Sequence, residues 1–108
     1  MRNYPEWIAA FAAITSIGAV AVPLNAWWEP DELGFALNDS GAKVVFADTE
    51  RIQKISNSKV NTASLEIIKV RSKSQDNLDT NLLESLLESD STMPEVEIDP
   101  DENATILY

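Results

Sequence analysis

At 108 residues with 44% hydrophobic side chains, the chain suffices for one small core, burying roughly 60 to 70% of the surface its unfolded form would expose. Having neither cysteine nor histidine, it lacks a disulfide framework, thiolate chemistry, the usual zinc ligands and any Ser-His-Asp or Cys-His catalysis. The net charge of −10 is unevenly placed: from Asn81 onward there are eight acids and no base, which argues against a phosphate backbone as partner.

The apolar run at residues 8–24 follows Met1-Arg2 and contains Ala19-Val20-Ala21, so it imitates a secretory signal. Pro5-Glu6 interrupts the basic region, however, and Trp7, Ile8, Phe11 and Ile14 fall at helical spacing among alanines. The run is also short for a membrane span and contains Thr15, Ser16 and Gly18. A helix is expected to begin near Asn3 or Tyr4, with Asn3 and Glu6 at capping-box spacing and Pro5 in the first turn. Its buried stripe would be Trp7, Ile8, Phe11, Ile14 and Ile17, and Gly18 its stop. Residues 19–24 then read as a buried parallel strand.

After a loop carrying Trp27 and Trp28, Pro30 starts a second helix, with Asp31 and Glu32 where the helix dipole favours negative charge. Leu33, Ala36, Leu37 and Ser40 would face inward and Gly41 end the helix. Gly34 in its interior costs about 1 kcal/mol relative to alanine, so this helix depends on packing. Residues 43–47 read as a strand, and Asp48 or Thr49 as the cap of a short helix reaching about Ser56. Residues 65–70 read as another strand. Leu82, Leu83, Leu86 and Leu87 read as one face of a helix, its start marked by Asp79, Thr80 and the Asn81-to-Glu84 spacing. Residues 104–108 read as a final strand.

The alternation predicts an α/β chain with a partial parallel sheet and helices on its faces. One incomplete α/β domain over residues 1–108 is expected, with internal linkers at 72–80 and 90–103. Trp7, Phe11, Trp27, Trp28, Phe35 and Phe46 are the candidate bulky anchors of its core.

Gly18, Gly34 and Gly41 never take the G-x-G-x-x-G spacing, and no Walker loop is present, so the chain has no phosphate cradle of its own. Asp48 follows a strand, where a dinucleotide fold places its ribose-binding acid, but without the glycine turn it reads as a helix cap. Asp99, Asp101 and Asn103 begin a calcium-loop pattern that fails at Ala104, where glycine is required. The alternating Glu95, Glu97, Asp99 and Asp101 read as a solvated run, because acid/base pairs need contrasting environments. Trp27-Trp28 reads as a cover for core, with contact to a ligand or partner as the alternative.

RNYPEW, GAVAVPLN, PDELGFALNDSGAKVVFAD and DENATILY occur in an order and spacing that resemble the AMP-forming acyl-CoA synthetases of the adenylate-forming ligase superfamily. The likeness covers about residues 2–48 and 98–108. It implies an N-terminal fragment of the large domain, cytoplasmic, and most similar in overall look to fatty acyl-CoA ligases. Such enzymes join a carboxylate to ATP as an acyl-adenylate and then pass the acyl group to CoA, with magnesium. The family's phosphate loop, adenine and acyl pockets and catalytic lysine map to no residue here, so no catalytic, cofactor-binding or metal position is assigned. The alternatives are a stand-alone, non-catalytic α/β interaction module and an exported domain starting near Val22. A truncated parallel sheet would carry an exposed edge.

In the parent gene, the codons after Tyr108 are expected to encode, within about ten residues, a Thr/Ser-Ser-Gly-Thr/Ser-Thr/Ser-Gly-x-Pro-Lys loop. Sequencing the locus checks this, and a stop codon with no such loop in any downstream frame favours the interaction module.

Overall fold

The computed structural model describes residues 1–72, 81–87 and 92–108. Helix α1 spans Pro5–Ser16, with Pro5 in the first turn as expected. Its N-cap is Tyr4 rather than Asn3, and no side chain caps it. Glu6, expected to close a capping box, instead accepts a bond from Arg71 Nε at 2.7 Å, since a guanidinium is a stronger partner than a neutral amide. Gly18 adopts φ +71° and ends the helix. The Ala19 N–H there reaches back to the Ile14 carbonyl at 3.1 Å.

Helix α2 covers Pro30–Ser40 and stops at Gly41, φ +62°. The Glu32 carboxylate accepts from the Glu29 N–H at 2.9 Å, a start signal beyond the proline and the acidic first turn. Strand β1 (Val44–Ala47) leads through Asp48 into α3 (Thr49–Ser56), then a 3-10 turn at Thr62–Ser64 and strand β2 (Glu66–Lys69). β1 and β2 are parallel, in register from Val44 opposite Glu66 to Ala47 opposite Lys69. This β-α-β unit is the centre of the molecule.

Two expectations need correction. Asn81 and Leu82, read as the start of a helix, form a short strand β3 parallel to β2, with Asn81 opposite Ile68 and Leu82 opposite Lys69. Among the described residues of this segment, Leu83–Leu87 is helical (α4). Local helical spacing was overridden by a free β2 edge. Asp79 and Thr80 lie outside the described residues. Residues 19–24 and 104–108 are not regular strands but meet in one parallel bridge, Ala21 opposite Thr105. The Ala21 N–H donates to Ala104 O at 2.9 Å and the Ile106 N–H to Ala21 O at 3.0 Å. Pro23 has no N–H to continue that ladder. Among the described residues, parallel pairing thus occurs both in the sheet β1-β2-β3, which leaves β1 at an edge, and in the separate Ala21–Thr105 bridge.

The core is aliphatic. Leu37, Ala47, Ile52, Ile55, Leu65 and Ile67 form one buried cluster where α2 and α3 meet β1 and β2. None of the six large aromatics named above is fully buried, and Trp27 and Phe35 are 70% and 64% exposed. The stripe of α1 is likewise half covered: Ala10 is its buried residue, while Ile8 and Ile17 are exposed. That face of α1 looks onto an open channel rather than packed side chains. Of the linker at 72–80 only Ser72 is described, its hydroxyl 3.0 Å from that of Thr49. Residues 92–103 carry no helix or strand. No helix among the described residues is long and apolar enough to cross a membrane.

Gly34 shows why α2 depends on packing: a Cβ there would lie 3.2 Å from Ser58 Cβ, in the turn that follows α3. Gly34→Ala should be close to neutral, its propensity gain of about 1 kcal/mol offset by that contact. Gly34→Leu should lose about 2 kcal/mol or more through overpacking. Urea unfolding of the two variants checks the difference.

Candidate functional site

Asp48 ends β1 and begins α3, and its carboxylate is used up internally. Oδ1 accepts from the Arg51 N–H at 3.2 Å and Oδ2 from the Arg2 N–H at 3.1 Å. Arg51 Nη1 lies 3.2 and 3.4 Å from the two oxygens. The helix-cap reading holds, and neither oxygen is left for a ribose hydroxyl. Burial alone would push the Asp48 carboxyl up. The bonds from Arg51 and Arg2 overcome it and hold the group below its usual range.

Arg51 had no signal in the sequence beyond its i,i+3 spacing from Asp48, yet it joins three parts of the chain. Its Nε and Nη2 donate to the Ala26 carbonyl at 2.9 and 2.6 Å, and Nη1 donates to Glu50 Oε2 at 2.9 Å. One turn on, Lys54 Nζ donates to the Trp28 carbonyl at 3.0 Å and to Glu29 Oε1 at 2.8 Å. Helix α3 thus holds the loop that precedes α2.

Next to this cluster runs a channel of about 700 Å³ between α1, residues 19–26, α2 and the free edge of β1. Its walls are apolar, with Trp7, Phe11, Ile14, Val22, Leu37 and Val45 among them. The Met1 amino group reaches in and donates to the Phe46 carbonyl at 3.0 Å. Burial pushes that amine below its usual pKa, partly opposed by the Asp48 charge.

The tryptophan pair is split, which corrects the expectation that both cover core. Asn25 Oδ1 accepts from the Trp27 N–H at 3.0 Å, and this turn points Trp27 outward, beneath the Arg2 guanidinium at 4.8 Å. Trp28 is half-buried and meets Tyr108 edge-on at 6.4 Å. The Tyr108 hydroxyl donates to Asp39 Oδ2 at 2.8 Å, a bond that pushes the phenol's pKa up. Glu95, Glu97, Asp99 and Asp101 are exposed, and Asp99 Oδ1 accepts from the Asp101 N–H at 2.9 Å in a local turn. Among the described residues no group of three or more His, Cys, Asp or Glu side chains is placed to hold a metal ion.

Residues 1–108 match the family model of the AMP-binding enzyme. The chain belongs to the AMP-binding enzyme family. It is 44% identical over 45 residues to the long-chain-fatty-acid–CoA ligase FadD13 of Mycobacterium tuberculosis (strain ATCC 25618 / H37Rv), a stretch covering 42% of this chain and 9% of that protein. It is 36% identical over 50 residues to the 3-hydroxybenzoate–CoA ligase of Aromatoleum sp. (strain CIB), covering 46% of this chain and 10% of the relative. The chain spans about a tenth of the length of these curated relatives. No solved structure matches it significantly. As an AMP-binding family member it carries the α/β scaffold expected from the sequence.

Asp48→Ala should cost about 3 kcal/mol, because it leaves Arg51 without its buried partner and α3 without a cap. Asp48→Asn, which keeps an acceptor for the Arg51 N–H, should cost less. The wild-type carboxyl titrates lower folded than unfolded, so its contribution is present above about pH 4 and is lost as pH falls through the folded value. Urea unfolding at neutral pH and at about pH 3 should show the Asn variant lacking that part of the acid loss.

Proposed function

We propose that this chain is the N-terminal part of the large domain of an ATP-dependent acyl-CoA ligase. In the full protein a carboxylate attacks the α-phosphate of ATP, giving an acyl-adenylate and pyrophosphate. A CoA thiol then takes the acyl group and AMP leaves. The supporting observation is the family match along the whole chain, joined to partial likeness with two CoA ligases of which it spans about a tenth. A fatty acid is the favoured substrate and the cytoplasm the favoured location; magnesium accompanies the ATP.

The residues present do not fit ATP, CoA or Mg²⁺. The sequence has no glycine-rich phosphate loop, and the strand-end acid Asp48 is fully engaged by Arg51 and Arg2. What these residues do is hold a scaffold: Arg51 and Lys54 fix the 26–29 loop against α3, and β1 and β2 supply a parallel platform. Chemistry of this class depends on donors aimed at phosphoryl oxygens, and none is assembled among the described residues.

The purified chain should give no ATP–pyrophosphate exchange with any fatty acid above a heat-killed control. Exchange by the chain alone, with contaminating ligase excluded, overturns this reading. A longer protein containing the chain should form CoA thioesters from long-chain fatty acids roughly tenfold or more efficiently than from hydroxybenzoates. The reverse preference keeps the ligase and rejects the fatty-acid assignment.

A further inference from the structure

Helix α2 contains no basic residue, and its outer face carries Glu32, Phe35 and Asp39 at helical spacing, all exposed. Phe35 is 64% exposed, so most of its ring meets water rather than core. Tyr108 stands against it with 6.4 Å between ring centroids and 85° between planes, and Trp28 meets the same tyrosine at 6.4 Å and 75°. The three rings form one patch, with Tyr108 nearly perpendicular to both neighbours. The Tyr108 hydroxyl donates to Asp39 Oδ2 at 2.8 Å, which fixes the carboxylate one helical turn beyond Phe35. Among the described residues nothing donates to Asp39 Oδ1.

Two other places in the molecule show what such a corner holds. The Arg2 guanidinium lies 4.8 Å from the centre of the Trp27 ring, with Nη2 3.8 Å from Glu50. The Arg71 guanidinium lies 4.5 Å from the centre of the Tyr4 ring and bonds Glu6 at 2.7 Å. Ring, carboxylate and guanidinium occur together in both. At Phe35, Tyr108 and Asp39 the ring and the carboxylate are in place. Among the described residues, however, no cation lies over these rings or pairs with Glu32 or Asp39.

We propose that the outer face of α2 is a docking surface for a basic peptide, whose anchoring arginine lies over Phe35 and Tyr108 and donates to Asp39 Oδ1. A guanidinium suits the corner because its plane stacks on a ring while its edge donates to a carboxylate. It is also more weakly hydrated than an ammonium, so leaving water costs it less. Glu32 lies on the same stripe, on the order of 10 Å from Asp39 along the helix. Its Oε2 accepts from the Glu29 N–H, which leaves the other oxygen for a second arginine. In a polyproline II peptide, residues three apart point the same way at about 9 Å, so an Arg-Pro-Pro-Arg segment reaches both carboxylates. Its prolines then meet the rings, as Pro-rich segments do in aromatic-lined grooves. This inference rests on ring geometry and charge and is independent of the ligase reading.

NMR titration of the isotope-labelled chain with the capped peptide Ala-Arg-Pro-Pro-Arg-Ala tests it, beside one twin with lysine and one with citrulline, the uncharged isostere, at both arginine positions. The arginine peptide should shift the resonances of Phe35, Asp39 and Tyr108. It should bind roughly tenfold or more tightly than the citrulline twin and about threefold more tightly than the lysine twin. Phe35→Leu and Asp39→Asn should each weaken binding about threefold or more, while Trp27→Leu, which alters a ring outside the patch, should leave it unchanged. Equal binding by either twin, unchanged affinity in Phe35→Leu and Asp39→Asn, or shifts confined to residues 95–102 overturns the proposal; the last would put the peptide on the acidic run. Should a variant lose its fold, the wild-type chain decides. At saturation the arginine side-chain protons should show Overhauser contacts to the Phe35 ring, and their absence overturns the proposal.

Discussion

One buried guanidinium sets the relation among the parts of this molecule. Arg51 sits on α3, yet its bonds reach the cap of its own helix, the carbonyl of Ala26 and the neighbouring Glu50. A buried cation is tolerated only when its donors are satisfied, and here carboxylates and a carbonyl do so together. Because Asp48 also receives the Arg2 N–H, the same pair positions the opening of the chain. Charge is therefore the hinge between the aliphatic core and the segments arranged round it.

How much was legible in the sequence follows from where each signal arises. The ends of α1 and α2 were readable because Gly18 and Gly41 occupy left-handed backbone that other residues avoid. β1, α3 and β2 were readable because a short apolar run, a capping acid and a second apolar run mark one β-α-β unit. What failed depended on partners remote in sequence. Asn81 and Leu82 joined an open strand edge, and residues 19–24 carried a strand's composition but met one bridge and a proline. The aromatics had the bulk for a core, but the packed space lies between α2, α3 and the sheet, where aliphatic side chains fill it.

The candidate site shows the same division. Asp48 as a cap followed from its place after a strand, whereas Arg51 was invisible: its importance comes from Ala26, 25 residues away. Trp27 was misread because a turn held by Asn25 decides its direction, and hydrophobic bulk says nothing about that turn. The family likeness rests on ordered short segments at both ends of the chain. Those segments meet in the structure, since GAVAVPLN and DENATILY supply the bridge between Ala21 and Thr105.

That bridge bears on how the chain reaches its fold. Ala21 and Thr105 are roughly four times as far apart in sequence as Val44 and Glu66. Closing the longer loop costs about 1 kcal/mol more in chain entropy and is rewarded by one bridge instead of a ladder. The β-α-β unit should therefore assemble first and hold longest, with residues 104–108 docking late and detaching first. The bridge that the chain's last residues make is kinetically an appendage.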